Sequence, residues 1–197
     1  RYLALGTDRK LYIFSEGKVY DITPLRETQA LTNPFATSSG SATVTVTDAG
    51  HNAEVGAFVT FDNGSATNVV DGIDFNSEFE VLTVPSANTY TINAGTNASG
   101  TTAAGGGSTD ASYQINPGPT SSTYGYGWGT DTWSTSTWGT ERTTSDVTLE
   151  PGNWSLDNFG EVLVATIRGG KTFTWNAGAT NARTIRASTT TTNFSTS

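Results

Sequence analysis

Short stretches in which hydrophobic and polar residues alternate recur along this chain, and turn-forming residues separate them. The alternation is clearest at residues 43–47, where Thr and Val follow each other in turn. A period of two places successive side chains on opposite faces of a strand, so that one face is buried and the other meets solvent. Three more strands are predicted within residues 2–23, with turns at 6–8 and 15–17 and with Pro24 after the last. The pattern predicts an all-β protein built from antiparallel meanders.

A second group of predicted strands, at residues 162–187, is similar to the first group at 2–23. A shift of 161 positions brings Ala4 onto Ala165, Lys10 onto Lys171, Tyr12 onto Phe173 and Phe14 onto Trp175. Repeated small meanders are typical of β-propellers, in which each blade is one antiparallel meander. We therefore predict propeller-type strands at 1–35 and 148–197. Two such groups cannot close a ring of about four to eight blades, so neighbouring subunits or further sequence are expected to complete it.

Residues 36–116 differ in composition and separate the two groups. Their predicted strands lie at 43–47, 58–61, 79–84, 89–92 and 111–115. Short strands that follow each other so closely predict a small β-barrel or β-sandwich, inserted into a loop of the first group. The three glycines at 105–107 are interpreted as a flexible linker. We expect the insert to fold independently, because loop-closure costs grow only slowly with the length of an insertion.

Residues 117–147 form a bridge rich in Gly, Ser, Thr and aromatic residues. Its tryptophans, Trp128, Trp133 and Trp138, are spaced by five, which matches neither the helix period nor the strand period. Buried indoles can anchor such a chain to a domain surface, since each aromatic side chain buries about 150–250 Å² of surface area. Alternatively, the three indoles form a stacking surface for a sugar or for a partner subunit.

Composition narrows the classes of partner. The formal net charge is −8 and the ten basic residues are scattered, which argues against the basic patch that stable nucleic-acid binding needs. With 11% aromatic and only 14% charged residues, the chain lacks the composition of a disordered protein. The sequence has no cysteine and no apolar run long enough to span a bilayer, so disulfides and a membrane partner are not expected. Because the chain begins at Arg1, we expect a fragment or a processed product.

The sequence offers few residues for catalysis. His51 is the sole histidine and is predicted to be a turn or strand-end residue that bonds to the backbone. The carboxylates that could supply the acid pair of a glycosidase are Asp71, Asp74, Glu78 and Glu80. Glu78 and Glu80 fall at alternating positions of a predicted strand and are expected to face solvent. We therefore predict that the chain is not an enzyme and holds no cofactor and no metal.

The end of the sequence resembles a signature that recurs in phage virion proteins. The signature covers residues 153–161, followed by 168–170 and 173–175, and the spacing of Trp-Gly-Thr upstream belongs to the same pattern. Proteins with this signature are similar to the tail hub or nozzle proteins of short-tailed phages, which are built around β-propellers. The resemblance implies a propeller-type arrangement for residues 1–26 and 119–197.

The middle region resembles a small β-module that is widespread in phage and surface proteins. The matching residues are 51–52, 55–57, 76–81 and 89–92. Ala57 stands where that module usually has Asp, and Ser77 where it usually has Gly. The strand framework is unaffected by these two departures.

These resemblances imply a non-enzymatic structural component of a phage tail, located in the virion. Such subunits assemble as a homo-oligomeric ring, together with neighbouring tail proteins, around the channel that conducts the genome. An acidic surface suits a channel of this kind, because it repels phosphates and lets DNA pass without stable binding. The alternative is a receptor- or glycan-binding tail adhesin in which residues 128–138 contact glycan. A third hypothesis is a glycan-degrading tailspike.

Overall fold

The computed structural model describes residues 2–117, 152–160, 162–167 and 171–176, together with the backbone of 188–189. Within these residues all regular elements are β-strands and all strand pairs are antiparallel, which confirms the predicted all-β class. No helix in this described part is long and apolar enough to cross a membrane. The chain divides into a central unit, Leu25–Ile115, and a split unit, Arg1–Pro24 with Asn116–Ser197.

The strands are numbered in chain order. The central unit contains β4 (Leu25–Thr32), β5 (Phe35–Ala36), β6 (Thr43–Thr47), β7 (Phe58–Asp62), β8 (Val69–Val70), β9 (Ile73–Asp74), β10 (Glu78–Ser86), β11 (Thr89–Asn93) and β12 (Ser108–Gln114). The described residues of the split unit contain β1 (Leu3–Gly6), β2 (Leu11–Ser15), β3 (Lys18–Asp21), β13 (Trp154–Phe159), β14 (Val162–Ile167), β15 (Thr172–Asn176) and β16 (Ser188–Thr189).

One rolled sheet forms the central unit, with the strand order β4-β12-β7-β10-β11-β6-β5. β4 and β5 stand at opposite ends of this order, although only residues 33 and 34 separate them in the chain. The sheet must therefore curve until its two ends meet. Phe35 lies at this meeting point, because it pairs with Val46 on one side and forms an isolated bridge with Gly105 on the other. β8 and β9 form a separate hairpin.

Phenylalanine rings fill the interior of the rolled sheet. The core includes Phe35, Phe61, Phe75 and Phe79. The rings of Phe35 and Phe75 stack with 3.8 Å between their centres, and Phe61 meets Phe35 edge to face at 4.9 Å. The alternation of Thr and Val in β6 places both of its valines in this core. Aromatic pairs add about 0.5–1.5 kcal/mol beyond the area that they bury, so this cluster is a major source of stability.

The boundaries of the central unit differ from the insert predicted at 36–116. Residues 25–32 were predicted to belong to the first propeller-type strands, but β4 is a strand of the central sheet. It pairs with β12 at seven positions, from Thr32 opposite Ser108 to Leu25 opposite Gln114. The two strands lie at opposite ends of the unit in sequence. A pairing between such distant segments cannot be predicted from the local pattern of residues. The pairing also brings the first and last residues of the unit together.

The three glycines at 105–107 are an ordered part of the sheet, whereas the sequence suggested a flexible linker. The backbone of Gly105 exchanges two hydrogen bonds with Phe35, of 2.8 Å and 3.1 Å. Gly107 accepts from the Asn33 N–H over 2.7 Å and donates to the Asn33 side chain over 2.9 Å. Gly106 has a φ of +102°, and a Cβ at this position would collide with the Phe35 ring. Glycine is required here both for this backbone conformation and for the close approach to Phe35.

Two antiparallel sheets, β1-β2-β3 and β13-β14-β15-β16, make up the described part of the split unit. One face of each sheet contributes to a shared core, which consists of Leu11, Ile13, Ile22 and Ala165 with Ala4, Trp154, Leu156, Leu163 and Trp175 packed against it. The sheets approach closely where β1 meets β13, since a Cβ on Gly6 would lie 2.6 Å from the Cβ of Trp154. The strand predicted at 183–187 lies outside the described residues.

The predicted internal repeat is out of register by one residue in its second strand. Ala4 pairs with Ile13 in the first sheet, whereas Ala165 pairs with Phe173 in the second. The shift of 161 positions therefore matches Ala4 with Ala165 correctly, but it matches Phe173 with Tyr12 instead of Ile13. Side chains alternate between the two faces of a strand, so this slip exchanges the inward and outward positions of β2 and β15.

Candidate functional site

Three polar side chains of the central unit form a chain of hydrogen bonds. Asp48, which follows β6, is only 3% exposed and accepts from the hydroxyl of Tyr113 on β12. The Tyr113 oxygen lies 2.9 Å from the hydroxyl of Tyr90 on β11. Tyr90 is the donor in this bond, because the Tyr113 proton is already directed at Asp48. Burial raises the pKa of both tyrosines far above the ordinary value, so both hydroxyls stay protonated.

Arg26 and His51 close over these tyrosines. The Arg26 guanidinium lies 5.3 Å from the centre of the Tyr113 ring and donates to the His51 carbonyl over 2.6 Å. His51 is 1% exposed, and its Nδ1 accepts from the Ala53 N–H over 2.9 Å. Its Nε2 therefore carries the proton and faces the Ser86 carbonyl at 3.2 Å. The prediction that His51 bonds to the backbone is confirmed, and both of its ring nitrogens are engaged in holding the fold.

The two buried tyrosines are expected to make the protein sensitive to alkali. Their pKa in the folded state lies above the value of 10.0 that an exposed tyrosine has. This raised pKa stabilises the fold fully below about pH 10, and the stabilisation is lost as the pH rises from there towards the folded-state pKa. Each buried tyrosine should lower the free energy of unfolding by about 1.4 kcal/mol per pH unit in that range. Urea unfolding, followed by circular dichroism between about pH 9 and pH 12, measures this slope.

Tyr90→Phe tests whether the slope comes from this pair. The variant removes one of the two titrating hydroxyls, so the alkaline slope should fall by about half. Val55→Ala, at a side chain that is 66% exposed in the same unit, provides the matched control and should keep the slope of the wild type. Identical slopes for wild type and Tyr90→Phe would contradict the assignment.

Three of the four candidate carboxylates are held by different partners. Asp71 accepts from the Thr37 hydroxyl, Asp74 from the backbone N–H groups of Asn68 and Asn76, and Glu78 from the Gln114 amide. The two backbone hydrogen bonds hold the pKa of Asp74 below its ordinary value. Glu80 is exposed, as predicted, whereas Glu78 is half-buried. Within the described residues no group of three or more His, Cys, Asp or Glu side chains could hold a metal ion.

Aromatic residues also line a groove of about 690 Å³ in the split unit. Its walls include Tyr2, Trp175, Leu156 and Asn158, and the Tyr2 ring meets the Trp175 ring edge to face at 5.7 Å. Aromatic side chains beside a few polar groups are the usual lining of a small-molecule site. The tryptophans that were predicted to contact glycan or a partner, Trp128, Trp133 and Trp138, lie outside the described residues.

The sheet β1-β2-β3 is apolar on both of its faces. One face joins the core of the split unit, and the strand register places Leu3, Leu5, Tyr12, Phe14 and Val19 on the other. Leu3 and Val19 are 64% exposed, Leu5 57% and Phe14 44%. We call these four residues the apolar outer face. Leu3, Phe14 and Val19 lie side by side across the three strands, so the exposed surface is continuous.

A carboxylate on the same face as the apolar outer face is neutralised by an ion pair. Asp21, at the end of the edge strand β3, forms an ion pair of 3.2 Å with Lys10. Burial alone would raise the pKa of the Asp21 carboxyl, but hydrogen bonds from Thr23 and the charge of Lys10 outweigh it and hold the pKa below its ordinary value. Asp21 therefore stays ionised and paired at the corner of the sheet.

The outer face of the second sheet is mostly polar. Ser155, Thr166 and Thr172 form a row across β13, β14 and β15. In the described part of this face the apolar residues lie towards the hairpin end of β13 and β14, where Phe159 pairs with Val162 and Val164 lies opposite Asp157. Phe159 is 82% exposed, more than any other large hydrophobic residue of the described chain.

The sequence contained a signal for the apolar outer face that its interpretation overlooked. Residues 11–14 are four consecutive hydrophobic residues, whereas a strand with one solvated face alternates. A continuous hydrophobic run is typical of a strand that is covered on both faces. The tyrosine–aspartate chain left no comparable signal, because its members come from three distant segments.

Comparison with known proteins adds one distant structural likeness. No family model matches the sequence, and no curated protein matches it. A solved structure titled "Phage phi92 endosialidase" aligns with 95% of this chain, with a TM-score of 0.38 and 16% identity. The chain spans 37% of the length of that structure. The similarity between the two structures is confined to a β-rich fold.

The prediction that the chain is not an enzyme is corrected by this comparison. The matched structure is, by its title, an endosialidase and therefore an enzyme. Its similarity to this chain is too low to transfer an activity, and no catalytic residue is assigned here. Asp48, Tyr90 and Tyr113 form hydrogen bonds with one another inside the central unit. This observation concerns those three residues only, and the chain is not classified as non-enzymatic.

Proposed function

We propose that this chain is a structural subunit of a phage tail, which packs against neighbouring subunits in a ring around the DNA channel. The observation that carries the proposal is the apolar outer face. A sheet that is apolar on both faces is stable between two layers, and here the described residues supply one layer. The largest exposed apolar patch of a soluble protein is often functional, so such a surface supports a role in assembly.

The residues that resemble phage tail proteins support the same proposal. Trp154, Phe173 and Trp175 belong to that signature, and all three lie on the inner face of the second sheet. Trp154 and Trp175 pack against the shared core, and the Trp154 ring lies 6.3 Å from the Phe173 ring. The signature therefore coincides with the side chains that hold the two sheets together, as expected if it marks a shared architecture.

The net charge of −8 fits a subunit that DNA passes without binding. A negative surface repels phosphate groups, and a ring of several copies multiplies the effect. Stable DNA binding would instead require clustered Lys and Arg side chains.

The position of the chain in the particle tests the proposal. A reconstruction of the phage, with antibody fragments raised against the chain as markers, should show several copies arranged around the tail axis at the channel. The purified chain should show no measurable affinity for duplex DNA at physiological salt. Markers confined to the distal tips of fibres, away from the channel, would overturn the proposal.

The groove beside Tyr2 and Trp175 favours a second candidate, a glycan-binding adhesin of the tail. Its aromatic walls and the Asn158 amide could receive a sugar. Specific binding on a glycan array, abolished by Trp175→Ala in a chain that still folds, would favour the adhesin over the ring subunit.

A further inference from the structure

We propose that the apolar outer face of one copy receives Phe159 of a second copy, so that copies of this chain stack head to tail. The inference rests on the proposed assembly function and specifies its contact. Both parts of the contact belong to the split unit, and both are exposed in a single copy.

The two surfaces cannot satisfy each other within one copy. The sheets β1-β2-β3 and β13-β14-β15-β16 pack with their inner faces together around Leu11, Ile13 and Ala165. Their outer faces therefore point in opposite directions. The apolar outer face lies on one side of this pair of sheets, and Phe159 lies on the other. Stacking a second copy on the first covers the apolar outer face of one copy and Phe159 of the other, and further copies cover the two surfaces that remain.

The size of the apolar outer face suits the centre of a subunit interface. Four large side chains, each exposed by roughly half, make an apolar patch on the order of 400 Å². A standard interface buries about 800 Å² on each partner, with an apolar centre and a polar rim. Phe159 can fill this centre, since a phenylalanine buries about 150–250 Å². The surrounding polar residues would form the rim.

The apolar outer face carries no uncompensated charge that would oppose the contact. The strand register places Asp21 on this face, and its charge is paired with Lys10. Lys18 pairs with Ser15 and lies on the opposite face of β3. Asp157, exposed two residues before Phe159 on the same face of β13, would lie in the polar rim of the contact. A head-to-tail contact repeats from copy to copy, and it closes into a ring when the rotation between copies allows.

Two single variants and their mixture test the contact. Val19→Ser alters the receiving face and Phe159→Ser removes the inserted ring. Each variant alone should associate at least about tenfold more weakly than the wild type, because truncating a central interface residue costs this much or more. Mass photometry and sedimentation velocity over a range of concentrations measure the association. Val55→Ser, at an equally exposed valine of the central unit, is the matched control and should associate like the wild type.

The mixture distinguishes head-to-tail from face-to-face packing. A Phe159→Ser copy keeps an intact receiving face, and a Val19→Ser copy keeps an intact Phe159. Equal amounts of the two variants should therefore form one-to-one pairs and nothing larger. Failure of the mixture to pair, although each variant has lost self-association, would overturn the head-to-tail contact. Face-to-face packing of the apolar outer faces would instead leave Phe159→Ser associating like the wild type.

Two further results would overturn the inference. One is unchanged self-association of both variants, with thermal unfolding like that of the wild type. The other is a wild type that is monomeric at all concentrations, with β1 and β3 protected from hydrogen exchange by another part of the same chain. Neither result bears on where the chain lies in the particle. The reconstruction therefore tests the proposed function separately.

Discussion

A fragment spanning residues 25–115 is expected to fold cooperatively on its own, whereas a fragment spanning 36–116 is expected to stay largely unfolded. The shorter fragment lacks β4 and Phe35. It loses the pairing of β12 with β4 at seven positions and leaves β12 as an uncovered edge of the sheet. It also loses Phe35 and Leu31 from the core. Removing a buried Phe costs about 3–5 kcal/mol and a buried Leu about 2–5, which together approach the 5–15 kcal/mol by which small domains are stable.

Urea unfolding followed by circular dichroism, and the dispersion of amide signals in the NMR spectrum, would compare the two fragments. A fragment 25–115 that carries Phe35→Ser separates the loss of the ring from the loss of the strand, and it should be intermediate in stability. The prediction fails if the fragment 36–116 unfolds at the same urea concentration as the fragment 25–115. It also fails if the longer fragment shows no cooperative transition.

Local alternation was sufficient to predict the middle strands of the central unit. The pattern at 43–47 coincides with β6, and the runs at 58–61 and 89–92 fall within β7 and β11. In β6 and β11 one face is buried and the other is polar, so the sequence shows the period of two. In β7 Val59 and Phe61 are buried, although the other face also carries Phe58. The end of β10 was harder to predict, because the strand continues through Pro85 to Ser86. The register with β11 shifts between Thr83 and Ser86, and such an irregularity accommodates a proline.

Two elements of the central unit escaped the sequence interpretation for different reasons. The hairpin β8–β9 has a local signal in its turn. The turn residues are Asp71 and Gly72, and both have positive φ, of 49° and 81°. Asp-Gly is a preferred pair for a turn of this kind, so this signal was available and overlooked. β4 has no such signal. Its membership of the central sheet depends on β12, and only the fold reveals that pairing.

In the split unit, the sequence identified the meanders but not the face that each residue occupies. A similarity in composition between β2 and β15 suggested the shift of 161 positions. Because the first four residues of β2 are all hydrophobic, the sequence could not reveal a slip of one residue. The same continuous run explains why the apolar outer face was not anticipated. When both faces of a strand are apolar, alternation no longer reports which face is buried.

Gly106→Ala is expected to destabilise the central unit strongly, and most of that effect should disappear when Phe35 is shortened. The variant incurs strain at a φ of +102°, of about 1–3 kcal/mol, together with a clash of its Cβ against the Phe35 ring. Overpacking a rigid site typically costs a further 1–3 kcal/mol or so. Phe35→Ala alone should cost about 3–5 kcal/mol, because Phe35 is fully buried between Phe61 and Phe75.

A double-mutant cycle measures the coupling between the two positions. With Ala at position 35, the added methyl group of Gly106→Ala has room, so only the backbone strain should remain. The double variant should then be more stable than the sum of the single variants predicts, by about 1–3 kcal/mol. Gly107→Ala is the matched control: its φ is +58°, and a Cβ there would have no neighbour within 4 Å. It should lose stability through strain alone, with no coupling to position 35. Additive effects of Gly106→Ala and Phe35→Ala would show that the glycine is required by its backbone conformation and not by its contact with Phe35.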